Sequence, residues 1–306
     1  MKIAVTAWKF GTAGLAEGLA SQAEIAEALG FDSFWLPENH FSGPSAIPSP
    51  LMLLASVASR TNRIRLGSTS YLLPIRHPIL AAEEVAVLDR LSGGRVILGI
   101  GRGFQDAMFT TFNIPTKEKR ARFRENLEIM INAWSGHPID QHDNTDVFLA
   151  PLPVQRPHPP LWVAAFGPLA IKQAGTLGLP YIASPVESID SLEANVNAHC
   201  QHVLDAGHAK VETRPVMRTV FATSNNRLER QVRESLSKEA ASRFREQDTD
   251  LDDWAIVGPP SKVIEKITEY QERLGLNYLI ARGRIEGIDE ADQIKSHELL
   301  LDLAAT

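Results

Sequence analysis

Cysteine is nearly absent from this sequence: Cys200 is the only one among 306 residues. A single cysteine excludes a disulfide framework and any metal site built from several thiolates. Apolar runs of the ~20 residues that a membrane helix needs are also missing, so the sequence predicts no membrane span. We expect Cys200 to be a small buried side chain on a helix.

Positive charge is not in excess either, since 31 lysines and arginines face 37 aspartates and glutamates, for a net charge of −6. A nucleic-acid-binding protein needs a basic face, so no nucleic-acid partner is predicted. The first residues read directly as a strand rather than as a signal peptide, and a cytoplasmic location is expected. What is present is a globular composition, with 44% hydrophobic and 22% charged residues.

Short β-rich runs alternate with longer helical patterns along the sequence. The runs predict eight strands, at residues 3–7, 33–38, 65–71, 96–101, 161–165, 181–184, 215–223 and 277–282. Strands and helices in this alternation predict an α/β fold, a single (β/α)8 TIM barrel in which residues 1–306 form one domain. An open doubly wound sheet with a second domain is the alternative, although no stretch of the sequence reads as a linker.

Three stretches interrupt the alternation and predict insertions in the loops at the top of the barrel. They are residues 42–50, 136–160 and 240–256. The last stretch is rich in charged residues and follows a predicted strand, where barrel enzymes often have a lid. We therefore expect residues 240–256 to close over a bound ligand.

The ends of the predicted strands carry the side chains from which a barrel enzyme builds its site. Several of these side chains are aromatic and predict an apolar substrate pocket: Trp8, Phe10, Phe41, Tyr71 and Phe104. Glu38, Asn39 and His40 follow the second strand and are the candidate catalytic residues. His40 is a candidate acid, base or hydrogen-bond donor, with a structural histidine bonded to Glu38 as the alternative.

The stretch "LGIGRGFQDAMF", residues 98–109, follows the fourth strand and places three glycines around Arg102. Its G-x-G-x-G spacing differs from the G-x-G-x-x-G of a dinucleotide-binding loop. Glycines at a strand end let a planar ligand approach the backbone, and a guanidinium binds phosphate well. Arg102 is therefore a candidate phosphate ligand, with an ion pair to Asp106 as the alternative.

A second candidate for the same phosphate lies in "VAAFGPLAIKQAG", residues 163–175. A strand ends here, Phe166 and Gly167 follow, and a helix begins near Pro168. The free N–H groups of a helix start can bind a phosphate, whereas an ordinary strand–helix turn is the alternative.

Histidine spacing does not predict a metal site. His199 and His202 lie on a helical pattern without a third ligand in view. We expect both side chains on the solvated face of that helix.

Four stretches together resemble the bacterial luciferase-like monooxygenase family: "WLPENHF" (35–41), "LLPIRHPILAAEEVAVLDRLSGGRVILGIGRGF" (72–104), "RARFRENLEIMINAW" (120–134) and "PLPVQRPHPPLWVAA" (151–165). The resemblance extends from residue 1 to about residue 282. It implies a flavin-dependent oxidoreductase, the FMN-dependent oxygenase component of a two-component monooxygenase that acts on a small apolar organic substrate with O2. A separate NAD(P)H-dependent flavin reductase would supply reduced FMN, and the resemblance also implies a homodimer.

By this resemblance, Arg102, Phe166 and Gly167 bind the phosphate of the cofactor. Thr69 and Ser70 fall where the family often has a non-prolyl cis peptide under the flavin ring. An ordinary trans strand at these two residues is the alternative.

Two alternative functions share the fold. A subset of the family binds a deazaflavin coenzyme and transfers hydride, and Lys117, Lys119 and Arg120 could bind its acidic tail. Other relatives bind flavin without known turnover. Asn39 raises this second alternative, because luciferases have a catalytic histidine there and an amide cannot exchange protons as imidazole does.

Overall fold

The computed structural model describes residues 1–10, 15–43, 46–243 and 250–305, without the side chains of residues 240–243 and 305. The strands in these ranges are β1 (Lys2–Thr6), β2 (Ser33–Leu36), β3 (Arg65–Ser68), β4 (Tyr71–Leu72), β5 (Val96–Gly101), β6 (Asp140–His142), β7 (Thr145–Val147), β8 (Leu161–Ala164), β9 (Tyr181–Ile182), β10 (Pro215–Ala222), β11 (Ala255–Gly258) and β12 (Tyr278–Arg282). The α-helices are α1 (Leu15–Leu29), α2 (Pro50–Arg60), α3 (Pro78–Leu91), α4 (Asp106–Thr111), α5 (Lys119–Trp134), α6 (Pro168–Thr176), α7 (Ile189–Asp205), α8 (Asn226–Arg243), α9 (Leu251–Trp254), α10 (Pro260–Leu274) and α11 (Glu290–Ala305). Across the described ranges, no helix is both long and apolar enough to cross a membrane.

The chain forms two compact units. The first, called the terminal unit, comprises Met1–Lys9, Ile25–Phe34 and Ala165–Thr306. The second, called the central unit, comprises Phe10–Glu24 and Trp35–Ala164. The arrangement of residues 1–306 as a single barrel domain stays a prediction.

The strands β1, β10, β11 and β12 of the terminal unit pair in parallel. β1 pairs with β12, β12 pairs with β10, and β10 pairs with β11. Every residue of β10 is buried, as expected for a parallel sheet that is covered on both faces. Arg218 of β10 is tolerated there because its guanidinium donates hydrogen bonds to the Tyr270 hydroxyl and to the carbonyls of Ser184, Met217 and Glu187.

One strand of the terminal unit is not among the eight predicted strands, and its first two residues fall in the predicted lid. Ala255–Gly258 form β11, and Trp254 packs beside it in a buried cluster with Phe221. The lid prediction is therefore wrong for residues 254–256, which belong to the core. The short apolar run was overlooked because many charged residues precede it; of these, residues 244–249 lie outside the described residues.

The strands β3, β4, β5 and β8 of the central unit are also parallel, and β5 pairs with each of the other three. Gly67 of β3 lies against the indole of Trp35, and a Cβ at this position would stand 2.1 Å from Trp35 Cδ2. Trp35 stacks on Trp162 of β8 with ring centroids 5.1 Å apart. Glycine is required at position 67 because the two tryptophans fill the space beside it.

An antiparallel hairpin of β6 and β7 occupies part of the predicted insertion 136–160. Most of its residues are exposed, and its turn residues Asp143 and Asn144 have φ values of 48° and 59°. Asp and Asn tolerate this left-handed region better than most side chains, so the sequence suits the turn.

Candidate active site

Glu38 lies shortly after β2, a strand whose residues are all buried. Its side chain is fully buried, and Oε1 forms an ion pair with Arg76 Nη2 at 2.8 Å. The same oxygen is hydrogen-bonded to His40 Nε2 at 2.7 Å, and Oε2 accepts from the N–H of Leu72 at 2.9 Å. A buried carboxylate needs partners of this kind, so Glu38 is the centre of a charged network at the end of the strand.

Arg76 connects Glu38 to the ring of Tyr71. Its guanidinium lies over that ring, with the carbon atom 3.8 Å from the centroid, and Nη1 donates to the Leu72 carbonyl at 2.8 Å. Tyr71 is buried, and its hydroxyl donates to Glu84 at 2.7 Å. Burial, opposed by the charge of Arg76, raises the pKa of Tyr71 well above its usual value. The structure thus places Tyr71 beside the charged network around Glu38. Contact of Tyr71 with a substrate stays a prediction.

Sequence reasoning misses Arg76 as part of the site. The available signal is an arginine between an apolar strand and a helix that starts with Pro78. Its partner Glu38 is distant in the sequence, and only the folded chain brings the two together. Asn126 of α5 fixes the backbone from Leu73 to Arg76, because its Nδ2 donates to the carbonyls of these two residues at 2.9 and 3.1 Å.

Asn39 uses its side chain within its own loop. Its Oδ1 accepts hydrogen bonds from the N–H of Ile47 at 3.0 Å and from Ser42 Oγ at 2.6 Å. The backbones of Asn39 and Ile47 also exchange two hydrogen bonds of 3.1 Å. These contacts fix the loop that carries His40 and Phe41, whereas a catalytic role of Asn39 stays a prediction.

Arg102 follows β5 directly and lies close to a second cation. Burial, and then the charge of Arg120, lower the pKa of the Arg102 guanidinium. Within the described ranges, Arg102 has neither an ion pair nor a hydrogen bond, so the alternative pairing with Asp106 is absent. Two neighbouring cations without a carboxylate favour a bound anion. The residues present therefore fit a phosphate group.

The peptide bond between Thr69 and Ser70 is cis, which confirms the family expectation and excludes the trans alternative. A Cβ on Gly101 would stand 2.0 Å from Ser70 Oγ. The glycines are predicted to let a ligand approach the backbone, but at Gly101 that space is taken by Ser70. Contact of Thr69 and Ser70 with a cofactor stays a prediction.

Phe166 and Gly167 of the terminal unit precede α6, so the predicted helix start is confirmed. Phe166 is exposed, and Gly167 has a φ of 79°, a left-handed conformation that glycine adopts at little cost. Pro168 begins the helix, whose first N–H groups have no partner within the helix. Phosphate binding by these groups stays a prediction.

The other predicted pocket residues differ widely in exposure. Trp8 is buried in the terminal unit, where its ring lies 5.1 Å from the ring of His297 between centroids. Phe10 of the central unit is half-buried. Phe41 and Phe104 of the same unit are 62% and 84% exposed. A ring that solvent reaches can contact a substrate without rearrangement, which favours Phe41 and Phe104 over Trp8.

The prediction of a solvated helix face is wrong for His199. This side chain is buried, its Nε2 is hydrogen-bonded to the Leu179 carbonyl at 2.8 Å, and its ring packs on Tyr181. Burial lowers the pKa of His199. Cys200 is only partly buried, and Arg214 Nη2 lies 3.6 Å from its sulfur. The described residues contain no group of three His, Cys, Asp or Glu side chains that could hold a metal ion.

Comparison with known proteins identifies the family. The family described as Luciferase-like monooxygenase matches residues 5–277. The chain belongs to the luciferase-like monooxygenase family. This membership confirms the resemblance that the sequence motifs indicate.

Two relatives in this family differ in cofactor. The flavin-dependent trigonelline monooxygenase, oxygenase component, of Acinetobacter baylyi is 30% identical over 195 residues, 60% of this chain and 53% of the relative. The F420-dependent glucose-6-phosphate dehydrogenase of Kineococcus radiotolerans is 37% identical over 189 residues, 56% of this chain and 53% of the relative. The chain thus matches about half the length of these curated relatives.

The fold is shared with a luciferase-like monooxygenase of known structure. The oxygenating constituent of 3,6-diketocamphane monooxygenase from Pseudomonas putida, in complex with FMN, has a TM-score of 0.82, with coverage of 100% of this chain and 98% of that chain. The identity of 22% restricts this likeness to the fold. Because the structural neighbours are TIM barrels, the predicted α/β barrel class is confirmed. The relatives are monooxygenases and other oxidoreductases, so the prediction of an enzyme of this class is also confirmed.

Proposed function

We propose that this protein is the FMN-dependent oxygenase component of a two-component monooxygenase and oxygenates a small apolar organic substrate with O2. The half-buried Arg102 beside Arg120 carries the proposal, because neither cation has an ion pair in the described part of the chain. A phosphate monoester such as that of FMN suits a guanidinium group whose charge is reinforced by that of a second arginine. The name of the trigonelline relative and the FMN in the diketocamphane monooxygenase structure support this choice.

Arg102 and Arg120 would hold the phosphate of FMN by charge. Thr69 and Ser70 would contact the flavin ring, and phosphate binding by the N–H groups of Phe166 and Gly167 stays a prediction. Reduced flavin, when bound, supplies the electrons that activate O2.

The residues after β2 would serve the substrate. Glu38 fixes the His40 ring through a hydrogen bond of 2.7 Å, which places one imidazole for proton transfer or hydrogen bonding. The exposed ring of Phe41 would supply apolar contact. Glu38 and Asn39 hold the loop and the ring in place, so we assign them positioning roles in this site.

Binding of FMN by an Arg102→Met variant tests the proposal. We expect the dissociation constant for photoreduced FMN, titrated without oxygen, to rise about 10- to 100-fold, because a charge-assisted contact to the phosphate is lost. Arg227→Met, which removes an exposed arginine at the start of α8, is the matched control and should bind FMN as the wild type does. Unchanged FMN binding by the Arg102 variant, or no binding to the wild type below millimolar concentration, contradicts the proposal.

A deazaflavin-dependent hydride-transfer enzyme is the second candidate. The F420-dependent relative favours it, as does the run of cations at Lys117, Lys119 and Arg120, which could bind an acidic tail. Quenching of tryptophan fluorescence by FMN and by coenzyme F420 separates the two candidates. Tighter binding of F420 would replace the oxygenase proposal by this one.

Oxygen consumption separates an oxygenase from a flavin-binding relative without turnover. The assay combines the protein, FMN, an NAD(P)H-dependent flavin reductase and a panel of cyclic apolar substrates. We expect oxygen uptake above that of the reductase alone. Uptake equal to that background with every substrate would favour the non-catalytic alternative, which Asn39 raises.

We also propose that the protein is a homodimer that associates through α3. Leu80, Val87 and Leu91 recur on one side of this helix and are 59%, 44% and 62% exposed. An exposed apolar stripe of this kind marks an interaction surface. Sedimentation should give a dimer for the wild type and a monomer for Leu91→Lys, whereas a monomeric wild type contradicts the proposal. The cytoplasmic location stays a prediction from the sequence.

A further inference from the structure

Three rings meet in the central unit: the imidazole of His40 and the phenyl rings of Phe41 and Phe112. The His40 centroid lies 5.8 Å from that of Phe41 and 5.1 Å from that of Phe112. The two phenyl centroids are 5.8 Å apart. These are ordinary distances for aromatic contacts, so the three rings form one continuous surface, called the ring cluster.

The two phenyl rings of the ring cluster face solvent although they are large and apolar. Phe41 is 62% exposed and Phe112 is 39% exposed. Phe112 follows α4, whose Met108 and Phe109 are already buried in a separate core cluster. The ring of Phe112 is not part of that core cluster. Exposed apolar area of this kind is unfavourable in water and marks a binding surface.

The backbone of Phe41 supports the same conclusion. Its φ is 58°, in the left-handed region where a bulky side chain is rare. The hydrogen bonds of Asn39 to Ser42 and Ile47 hold the loop in this form. Strain of this kind persists mainly where a ligand or a reaction uses the resulting geometry. Here it accompanies a phenyl ring that stays beside His40 and open to solvent.

His40 adds a hydrogen-bond acceptor to the ring cluster. Glu38 Oε1 also forms the ion pair with Arg76, so the carboxylate is the acceptor and His40 Nε2 carries the hydrogen between the two groups. The lone pair is then on Nδ1, on the other side of the ring. No described residue is bonded to Nδ1, and this atom is not sealed from solvent.

We propose that the ring cluster recognises the substrate, and that the substrate is a planar aromatic ring bearing a hydroxyl or N–H donor. The ring of the ligand packs on Phe41 and Phe112, and its donor group bonds to His40 Nδ1. Phe112 is thereby a specificity residue that the sequence analysis does not identify. That this ligand is a substrate rests on the proposed oxygenase function, whereas the binding of such a ring does not.

Two probes that differ in one hydrogen-bond donor test this inference. 4-Nitrophenol has the donor, and 4-nitroanisole carries a methyl group in its place. Each probe is titrated into the purified protein without flavin, at a pH where 4-nitrophenol keeps its proton, and binding is followed by absorbance and by tryptophan fluorescence. We expect the wild type to bind 4-nitrophenol about 3- to 10-fold more tightly than 4-nitroanisole, which is the worth of one hydrogen bond.

Variants of the ring cluster separate packing from hydrogen bonding. Phe112→Leu should weaken both probes about 3- to 10-fold, because an aromatic contact is lost and the donor contact remains. His40→Phe should keep the packing surface and bring the ratio of the two affinities close to 1. Phe148→Leu, which alters a phenylalanine of similar exposure outside the ring cluster, is the control and should bind both probes as the wild type does.

Three results would overturn the inference: no saturable binding of 4-nitrophenol to the wild type, equal binding by Phe112→Leu and the wild type, or an unchanged affinity ratio in His40→Phe. Circular dichroism of each variant shows that it is folded. Because these titrations contain no flavin, a failure of FMN binding in the Arg102 experiment would remove the proposed oxygenase and leave the ring site standing. The reverse combination would leave the oxygenase standing with a different substrate class.

Discussion

The terminal and central units each contain a buried histidine, and the two sites differ in almost every other respect. His40 of the central unit is 8% exposed and His297 of the terminal unit is 2% exposed. His40 Nε2 is bonded to Glu38, whereas neither ring nitrogen of His297 has a hydrogen-bond partner among the described residues. Around His297 lie the rings of Trp8 and Phe31, at centroid distances of 5.1 and 5.7 Å.

The surroundings of a buried imidazole therefore decide whether it can bind a ligand or only pack. Burial alone lowers the pKa of His297 to about 4, so this ring is neutral in ordinary conditions and acts as a packing group. The carboxylate beside His40 instead fixes the direction of one N–H and leaves the other nitrogen for a ligand. A histidine next to a buried, charge-balanced carboxylate is therefore the better candidate for chemistry.

Removal of the Glu38 carboxylate is expected to have the largest effect on stability. In Glu38→Ala, the mostly buried guanidinium of Arg76 loses its ion pair, and His40 and the Leu72 N–H lose their acceptor. The free energy of unfolding should fall by about 3–5 kcal/mol, as for other buried pairs that lose one partner. Urea denaturation measures this change.

The control for this prediction is Glu24→Ala. Glu24 pairs with Arg60 at the exposed surface, so its removal should cost less than about 1 kcal/mol. A loss for Glu38→Ala no greater than that of Glu24→Ala would show that Glu38 does not organise the His40 site.

Acidic pH should destabilise the folded protein through His297. Its pKa is lowered from 6.5 to about 4 by burial, so between these values the unfolded chain binds a proton that the folded protein does not bind. The stabilising contribution is complete above about pH 6.5 and is lost as the pH falls toward 4. Between neutral pH and pH 4, the free energy of unfolding of the wild type should therefore fall by about 3 kcal/mol more than that of a His297→Phe variant.

Denaturant unfolding of the wild type and of His297→Phe across this pH range measures the loss. His142→Gln, which removes an exposed histidine beside Asp140, is the matched control. Parallel pH profiles for the wild type and His297→Phe would refute the assignment of a neutral, unpartnered His297.

The sequence predicts most of the fold because buried parallel strands leave a simple local signal. Each of the eight predicted strands overlaps a strand in the structure, and the apolar run of β5 is found with its exact bounds. The misses are local too: β11 follows a charged stretch, β6 and β7 lie in a predicted insertion, and one β-rich run divides into β3 and β4. Composition does not indicate where a run bends or which charged stretch ends in the core.

The candidate site is predicted less completely, because its pairs join residues that are distant in sequence. The rule that chemistry lies at strand ends locates Glu38, His40 and Arg102. It does not indicate that Arg76 pairs with Glu38 or that Phe112 contacts His40, since both contacts depend on packing between elements. Local patterns place residues on strands and helices, and tertiary contacts decide their partners.

Exchange of either imidazole for a phenyl ring at neutral pH is expected to give the smallest effect and the most direct comparison. His297→Phe should change the free energy of unfolding by less than about 1 kcal/mol, because the ring it replaces makes no hydrogen bond and lies among aromatic side chains. His40→Phe should cost about 1–2 kcal/mol, because Glu38 Oε1 then loses its hydrogen bond and keeps only the ion pair with Arg76. Thermal and urea unfolding of both variants at the same pH give the two values. If His297→Phe proves as costly as His40→Phe, then His297 has a partner in solution, and the contrast between the two sites is one of degree.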